Sequence, residues 1–405
     1  MHASAPIPIR NTRDPLRWAT PLFRRLLRRI DAGLAEGGIR ATLPDGSRIE
    51  LGLRAPGPVA VVALCRWRAL WRLASDGSAG WYRAWADGDW DSPDPVPLFD
   101  LFMRNAVTLG SAARAGGWSR IAQRVAHWRR RNHRAGSRRN IAAHYDLGNS
   151  FYAEWLDAGM TYSSAMFANP DEPLEAAQTR KLRRVLERTA TAPGERILEI
   201  GCGWGSFAEL AAREGRQVHG ITLSAEQLAW AEARAADLPD ARFSLTDYRD
   251  VAGRYDAVAS IEMVEAVGAE YWPAYLDTIA RVLKPGGRAA IQYIAIDDRL
   301  FDAYAANVDF IQAHVFPGGM LLSERRFRAL AEARGLRWQD REGFGLDYAE
   351  TLRRWREAFD RAGDEGRLPE RFGGEFRRLW RYYLQYCEGG FRGGGIDVAQ
   401  VTLVK

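Results

Sequence analysis

The pattern of apolar and polar positions changes its period near residue 141. Before it, Pro21 to Ile30 places Leu22, Leu26, Leu27 and Ile30 on one helical face and arginines on the other. Such a helix docks on its own domain or lies on a membrane surface. Residues 38–62 alternate as short strands around an Asp45-Gly46 turn, and a helical stretch follows near 95–110. This reads as a small α+β domain over 1–110 with a loose N-terminal tail, then a basic helical connector over 111–140.

From 141 onward the pattern is strand, helix, strand, helix. Strands are predicted at Arg196 to Ile200, Gln217 to Thr222, Arg242 to Leu245, Tyr255 to Ile261 and Arg288 to Ile296. Helices are predicted from Ser206, from Ala225 and over 270–283. These spacings mean βαβ units and a parallel sheet with right-handed crossovers. Ile396 to Lys405 alternates and is expected to close the sheet as an edge strand. Aromatic-rich helices fill 301–386, with Phe301, Tyr304, Phe310, Phe316, Trp355, Phe359, Phe376, Trp380, Tyr383 and Tyr386. They form either a helical lid packed on the sheet or the lining of a tunnel, and both hold if the tunnel is a gap in that packing.

Composition narrows the class. A chain of 405 residues, 47% apolar and 27% charged, supports two packed domains. Its longest apolar run, Val59 to Cys65, is far below the ~20 residues of a membrane span. Pro6, Pro8, Arg10, Arg13 and Arg17 interrupt any secretory signal. Three scattered cysteines, Cys65, Cys202 and Cys387, make no disulfide framework, so a reducing cytoplasm is expected. His127, His133 and His314 make no ligand spacing, and no metal site is expected.

Charge is uneven. Residues 1–140 hold 24 Arg, no Lys and 11 acids, a net +13, and no acid lies between Asp100 and Asp146 while ten arginines do. Trp118 and Trp128 sit among them. Such a stretch is a solvated face, a docking surface for anionic lipid, or a nucleic-acid contact.

Glu199-Ile-Gly201-Cys-Gly203-Trp-Gly205-Ser joins a strand end to a helix start. Glycines allow close backbone approach, and the helix start offers free N–H groups. The spacing is not Gly-x-Gly-x-x-Gly, and no acid ends the second strand, so a dinucleotide is disfavoured. An acid two residues before the first glycine resembles motif I of the S-adenosylmethionine (SAM) methyltransferases.

Further segments follow in order: Gly220-Ile-Thr222-Leu-Ser-Ala-Glu-Gln227, Thr246-Asp247-Tyr248, Glu262-Met-Val-Glu265-Ala-Val-Gly268 and Leu283-Lys-Pro-Gly-Gly287. With His144-Tyr-Asp-x-Gly-Asn149 and Tyr162-Ser163-Ser164-Ala upstream, residues 140–405 resemble the cyclopropane-fatty-acid and mycolic acid cyclopropane synthases. The resemblance implies a Rossmann-like SAM methyltransferase sheet of seven mostly parallel strands with a helical lid. It implies SAM as cofactor, held by Tyr162, Ser163, Glu199, Gly201, Gly203, Gly205, Thr222, Gln227, Asp247 and Tyr248. His144 is read as a structural residue near the cofactor, and His219 as a core or edge residue.

The family's substrate is a cis double bond in an acyl chain, usually of a phospholipid. Attack of that weak nucleophile on the sulfonium methyl leaves a carbocation, which calls for a dry pocket and a base. The resemblance assigns the base to bicarbonate. By position its ligands are Glu265, the Ser164 main chain, Gln292, the Ile294 main chain and Tyr348. Ser164 stands where cysteine is usual, Gln292 where histidine is usual, and Ala266 where the Glu-His pair has its histidine. Gln292 donates but cannot titrate.

The leading expectation is therefore a cyclopropane-forming enzyme acting on unsaturated phospholipid acyl chains, cytoplasmic and peripheral at an anionic membrane. Alternatives are an acyl C-methyltransferase giving methyl- or methylene-branched chains, and a non-catalytic lipid- or SAM-binding relative. A nucleic-acid methyltransferase is disfavoured because no Asn/Asp-Pro-Pro-Tyr tetrapeptide occurs. A homodimer is compatible with the resemblance.

Overall fold

A computed structural model of the chain describes residues 14–110 and 147–405. Most of the acid-free stretch, Trp118 and Trp128, His127 and His133, and His144 fall outside the described residues. By contact the chain forms two units. The first joins the N-terminal region to Arg299–Pro317 and Gly373–Gly395; the second holds residues 147–298, then Gly318–Phe372 and Ile396–Lys405.

In the first unit, β1 (Gly38–Thr42) and β2 (Arg48–Gly52) form the antiparallel hairpin that the Asp45-Gly46 turn predicts. β3 (Val59–Leu64) runs parallel to β1, and β4 (Trp90–Asp91) closes the order β2-β1-β3-β4. Helix Thr20–Gly33 buries Phe23, Leu27 and Ile30, with Phe23 stacked on Trp67. It docks on its own unit, as one of the two readings had it. Leu22, expected on the apolar face, is instead exposed. The buried stripe follows Phe23 at i, i+4 and i+7, which turns Leu22 outward.

Two segments beyond 141 belong to this unit for a steric reason. Helix Gly374–Arg392 lies so close to helix Val96–Arg104 that a Cβ on Gly389 would sit 2.4 Å from Phe99 Cβ. Around that contact Phe99, Tyr82, Phe310, Tyr382 and Tyr386 pack ring against ring. Several aromatics read from sequence as lid or tunnel, Phe310 and Tyr386 among them, are thus core of the first unit.

The second unit is built on a seven-stranded sheet. It comprises β5 (Arg196–Ile200), β6 (Gln217–Thr222), β7 (Ala241–Leu245), β8 (Tyr255–Ile261), β9 (Leu283–Ile296), β10 (Arg337–Gly343) and β11 (Ile396–Val404). The order is β10-β11-β9-β8-β5-β6-β7, and β11 is antiparallel to both neighbours. This is the Rossmann-like methyltransferase sheet. The C-terminal strand is not the edge, however: β10 lies outside it. β10 reads Arg-Trp-Gln-Asp-Arg-Glu-Gly and is mostly exposed, so no apolar alternation marks it in the sequence.

Between helix Leu174–Thr189 and the sheet, Val185, Leu186, Ile197, Phe207 and Val218 are buried against Ala257, Ala259 and Ala290. Each large side chain there contributes roughly 1.5–3 kcal/mol by leaving water. The alanines on the central strands let the helices come close. The strand ends β5, β6 and β8 are thereby held rigidly, and the site is built on them.

Candidate active site

Past β5, Gly201, Gly203 and Gly205 all have positive φ (+80°, +52°, +87°). A Cβ on Gly201 would fall 2.7 Å from Met263 Cγ, so the turn runs against the loop after β8. A Cβ on Gly203 would meet no atom within 4 Å. That open space belongs to a cavity lined by Tyr162, Ser163, Glu199, Gly201, Gly203, Thr222, Gln227 and Tyr248, eight of the ten residues expected to hold SAM. Gly205 and Asp247 are not in the lining. A Cβ on Gly205 would fall 3.0 Å from Ala231 Cβ, so Gly205 gives room for close packing there, and Asp247 accepts from Arg249 at 2.8 and 2.6 Å.

The lining is ordered from beneath. Thr222 Oγ1 donates to Gln227 Oε1 (2.9 Å), and Ser224 caps the following helix. Trp204 Nε1 donates to Asn149 Oδ1 (2.7 Å), which ties the end of the upstream His-Tyr-Asp-x-Gly-Asn segment to the glycine turn. Tyr152, Trp155, Tyr162, Trp204 and Trp355 form a continuous aromatic wall beside it. His219, bonded to Tyr255 Oη (2.7 Å) and Ser244 Oγ (3.0 Å), is the structural residue that the sequence suggested. Among the described residues, no group of three His, Cys, Asp or Glu could hold a metal.

Two buried titratable groups, Glu199 and Lys181, line the cavity. Glu199 is buried with Oε2 unpartnered, and burial pushes its carboxyl up to about 8. Lys181, which the sequence reading missed, is fully buried and donates to Ser163 Oγ at 2.5 Å. Burial lowers its amine to about 8, opposed by Glu262, Asp157 and Glu199. The unpartnered Glu199 oxygen lies in the cavity lining, where it can accept from the amino group of SAM. The unfilled space at Gly203 and the orphan oxygen of Glu199 fit that cofactor.

The residues carried over for the base site do converge, but on a residue outside that set. Glu262 Oε1 accepts from the Ser164 amide (2.9 Å) and from Gln292 Nε2 (2.8 Å), and Oε2 accepts from the Tyr348 hydroxyl (2.7 Å). Glu265 is a neighbour that accepts from the Ile294 amide through Oε1 and leaves Oε2 unpartnered. Burial, then the charge of Glu262, pushes the Glu265 carboxyl up to about 8. Burial also raises Glu262, opposed by the bonds it accepts. The signal that could have found Glu262 was its place directly after β8, where side chains turn into the mouth of the sheet.

Behind Glu262 runs a buried relay of amides. Arg188 Nε donates to Gln400 Oε1 (3.1 Å), and Gln400 Nε2 donates to Gln292 Oε1 (3.0 Å). Arginine can only donate, so the relay from Arg188 turns the Gln292 amide with its Nε2 toward Glu262.

A pH dependence follows. The folded chain holds the Glu265 proton to about pH 8, and the unfolded chain releases it near its ordinary 4.5. The stability this adds is fully present below 4.5 and is lost as pH rises through 8. Glu199 acts with the same sign. The melting temperature is expected to fall between pH 5 and 8, and less so in Glu265→Gln, as read by thermal scans at constant ionic strength. Equal slopes would mean that Glu265 is ionised in the fold.

Comparison with known proteins gives the family and the fold. The sequence pattern of the family described as mycolic acid cyclopropane synthetase matches residues 132–401. The tuberculostearic acid methyltransferase UfaA1 of Mycobacterium tuberculosis is 37% identical, over 82% of this chain and 80% of its own. The cyclopropane-fatty-acyl-phospholipid synthase of Escherichia coli is 34% identical, over 82% of this chain and 85% of its own. Among solved structures, a mycolic acid cyclopropane synthase, CmaA1, complexed with S-adenosylhomocysteine and CTAB superposes with a TM-score of 0.61. It is 28% identical, over 66% of this chain and 98% of its own.

Proposed function

Because the chain belongs to the mycolic acid cyclopropane synthetase family and is a SAM-dependent, lipid-modifying methyltransferase, we propose that it methylates the cis double bond of unsaturated phospholipid acyl chains and closes a cyclopropane ring. One observation carries this reading: the cavity against the glycine turn is also lined by Glu262, the centre of the buried hydrogen-bond cluster. When bound, SAM supplies an electrophilic methyl group on a positively charged sulfur. The chain's own residues then have three tasks. Gly201 and Gly203 admit the donor, the aromatic wall excludes water and favours positive charge on its ring faces, and the hydrogen-bonded Glu262 carboxylate stabilises the cation that methyl transfer leaves on the chain.

A second reading is a methyl- or methylene-branched product. It is favoured by the Ser164 and Gln292 departures and by the similarity to UfaA1, named for a methyltransferase reaction.

The substrate lies in a bilayer, and an anionic surface is the proposed docking partner. No helix among the described residues is long and apolar enough to cross a membrane. Trp18 is 80% exposed and Leu22 58%, beside the exposed Arg24, Arg25 and Arg28. This places apolar anchors within a basic surface.

The test is incubation with SAM and vesicles of an unsaturated phosphatidylglycerol, read by mass spectrometry of the released acids. A gain of about 14 Da that survives mild hydrogenation is the expected ring; a further 2 Da on hydrogenation marks a methylene branch. Vesicle flotation is expected to weaken with salt and in the Trp18→Ala, Leu22→Ser double variant. No mass gain with any unsaturated lipid would end the proposal, and salt-insensitive flotation would remove the docking surface.

A further inference from the structure

The family resemblance assigns five groups to a bicarbonate, and in this chain all five already have partners. The Ser164 amide, Gln292 Nε2 and the Tyr348 hydroxyl, at 2.9, 2.8 and 2.7 Å, donate to Glu262. The Ile294 amide donates to Glu265, the fifth. A carboxylate presents the same planar O–C–O edge as bicarbonate, so the donors that would define the anion's place are met by a side chain. Bicarbonate does not fit this arrangement.

We propose that the Glu262 carboxylate stands in that place and is itself the base of the reaction; this rests on the acyl-chain reading above. Several independent features agree. Glu262 lines the donor cavity, so its carboxylate is within the reaction space. Its φ is +48°, a conformation that side-chain-bearing residues rarely adopt, and the Glu262 amide is held there by a bond to Gln292 O (2.8 Å). Gln292, where histidine is usual, suits a permanent carboxylate: it must only donate, and the Arg188–Gln400 relay fixes it as a donor.

The two oxygens differ. Among the described residues, Oε1 accepts two bonds, while Oε2 accepts one, from the Tyr348 hydroxyl, and keeps a lone pair. Oε2 is therefore the proton acceptor. In the step, the olefin's π pair bonds the methyl carbon while the carbon–sulfur bond breaks and its pair stays on sulfur. Oε2 then takes a proton from the added methyl group, and the freed C–H pair closes the third ring bond. Protonated Glu262 afterwards returns its proton to water.

The experiment compares the wild-type chain with Glu262→Gln and Glu262→Gly, each checked for SAM affinity by calorimetry. The wild type is expected to turn over equally, within about 2-fold, in carbon-dioxide-scrubbed buffer and with added bicarbonate, and to bind no 13C-bicarbonate by NMR. Glu262→Gln is expected to lose roughly 10²–10⁴ in kcat with the KM for SAM unchanged. Glu262→Gly vacates the donors, so it is expected to bind 13C-bicarbonate and to recover part of its activity as bicarbonate is added. Collapse of the wild-type rate on scrubbing, 13C-bicarbonate bound by the wild type, or an active Glu262→Gln would overturn the proposal. Absence of product from the wild type with every lipid would instead defeat the acyl-chain reading, and 13C-bicarbonate bound by that protein would still overturn this one.

Discussion

Gly203→Val is expected to weaken SAM binding by at least about 100-fold while the chain stays folded. The Cβ at Gly203 meets no protein atom within 4 Å, so the new side chain enters the space assigned to the cofactor without a clash. The φ of +52° adds a backbone cost of roughly 1–2 kcal/mol for a residue with a Cβ. Gly46→Val separates that cost from the steric one. Gly46 also has a positive φ (+84°) and open space, but it sits in the hairpin turn of the first unit. Calorimetric titration with SAM should find Gly46→Val close to wild type and Gly203→Val without measurable heat. A Gly203→Val affinity within a few-fold of wild type would move the donor away from the glycine turn.

Arg188→Ala is expected to cost about 3 kcal/mol of stability and most of the activity. The Arg188 side chain is only 5% exposed and donates in three directions: to Gln400 Oε1 (3.1 Å), to the Asp340 carbonyl (2.5 Å) and to Glu342 Oε2 (2.6 Å). Truncation leaves those acceptors unpaired in a mostly buried place, which costs more than the pair itself contributes. Glu342 is partly solvated, which keeps the loss at the lower end of the range for buried pairs. The effect on activity has a separate origin. Without an obligate donor at its start, the amides of Gln400 and Gln292 are free to turn, and a Gln292 carbonyl would then face the Glu262 carboxylate. Arg188→Lys keeps the charge but not the three-way geometry, and should restore stability better than rate. Urea midpoints and kcat on the three proteins check this. A loss below about 1 kcal/mol would mean that the relay does not hold the site.

Both expectations concern side chains that differ in how readable they were. The glycine turn, β5, β6 and β8 were legible because a buried parallel strand followed by glycines and an amphipathic helix leaves a local signature. The base-site residues Ser164, Gln292, Ile294, Tyr348 and Glu265 were legible only through resemblance, since they lie far apart in the chain. Glu262 was quoted in its motif but given no role. Its place directly after β8 points it to the mouth of the sheet, but which donors its side chain, three residues before Glu265, would meet there is set by segments far away in the chain. Lys181 was hidden in the same way, within helix Leu174–Thr189, to which the sequence reading gave no role.

By itself, the order of residues determined the periodicity: which stretches are strands, which are helices, where the chain must turn tightly, and therefore the parallel sheet with a cofactor turn at its mouth. Those properties arise between neighbours a few residues apart. Three matters were decided only by the tertiary structure: the polar strand β10 outside β11, the helix of Gly389 beside residues from the N-terminal region, and the carboxylate that meets Ser164, Gln292 and Tyr348. Each depends on pairs separated by tens to hundreds of residues, where shape and unsatisfied donors, rather than local preference, select the partner.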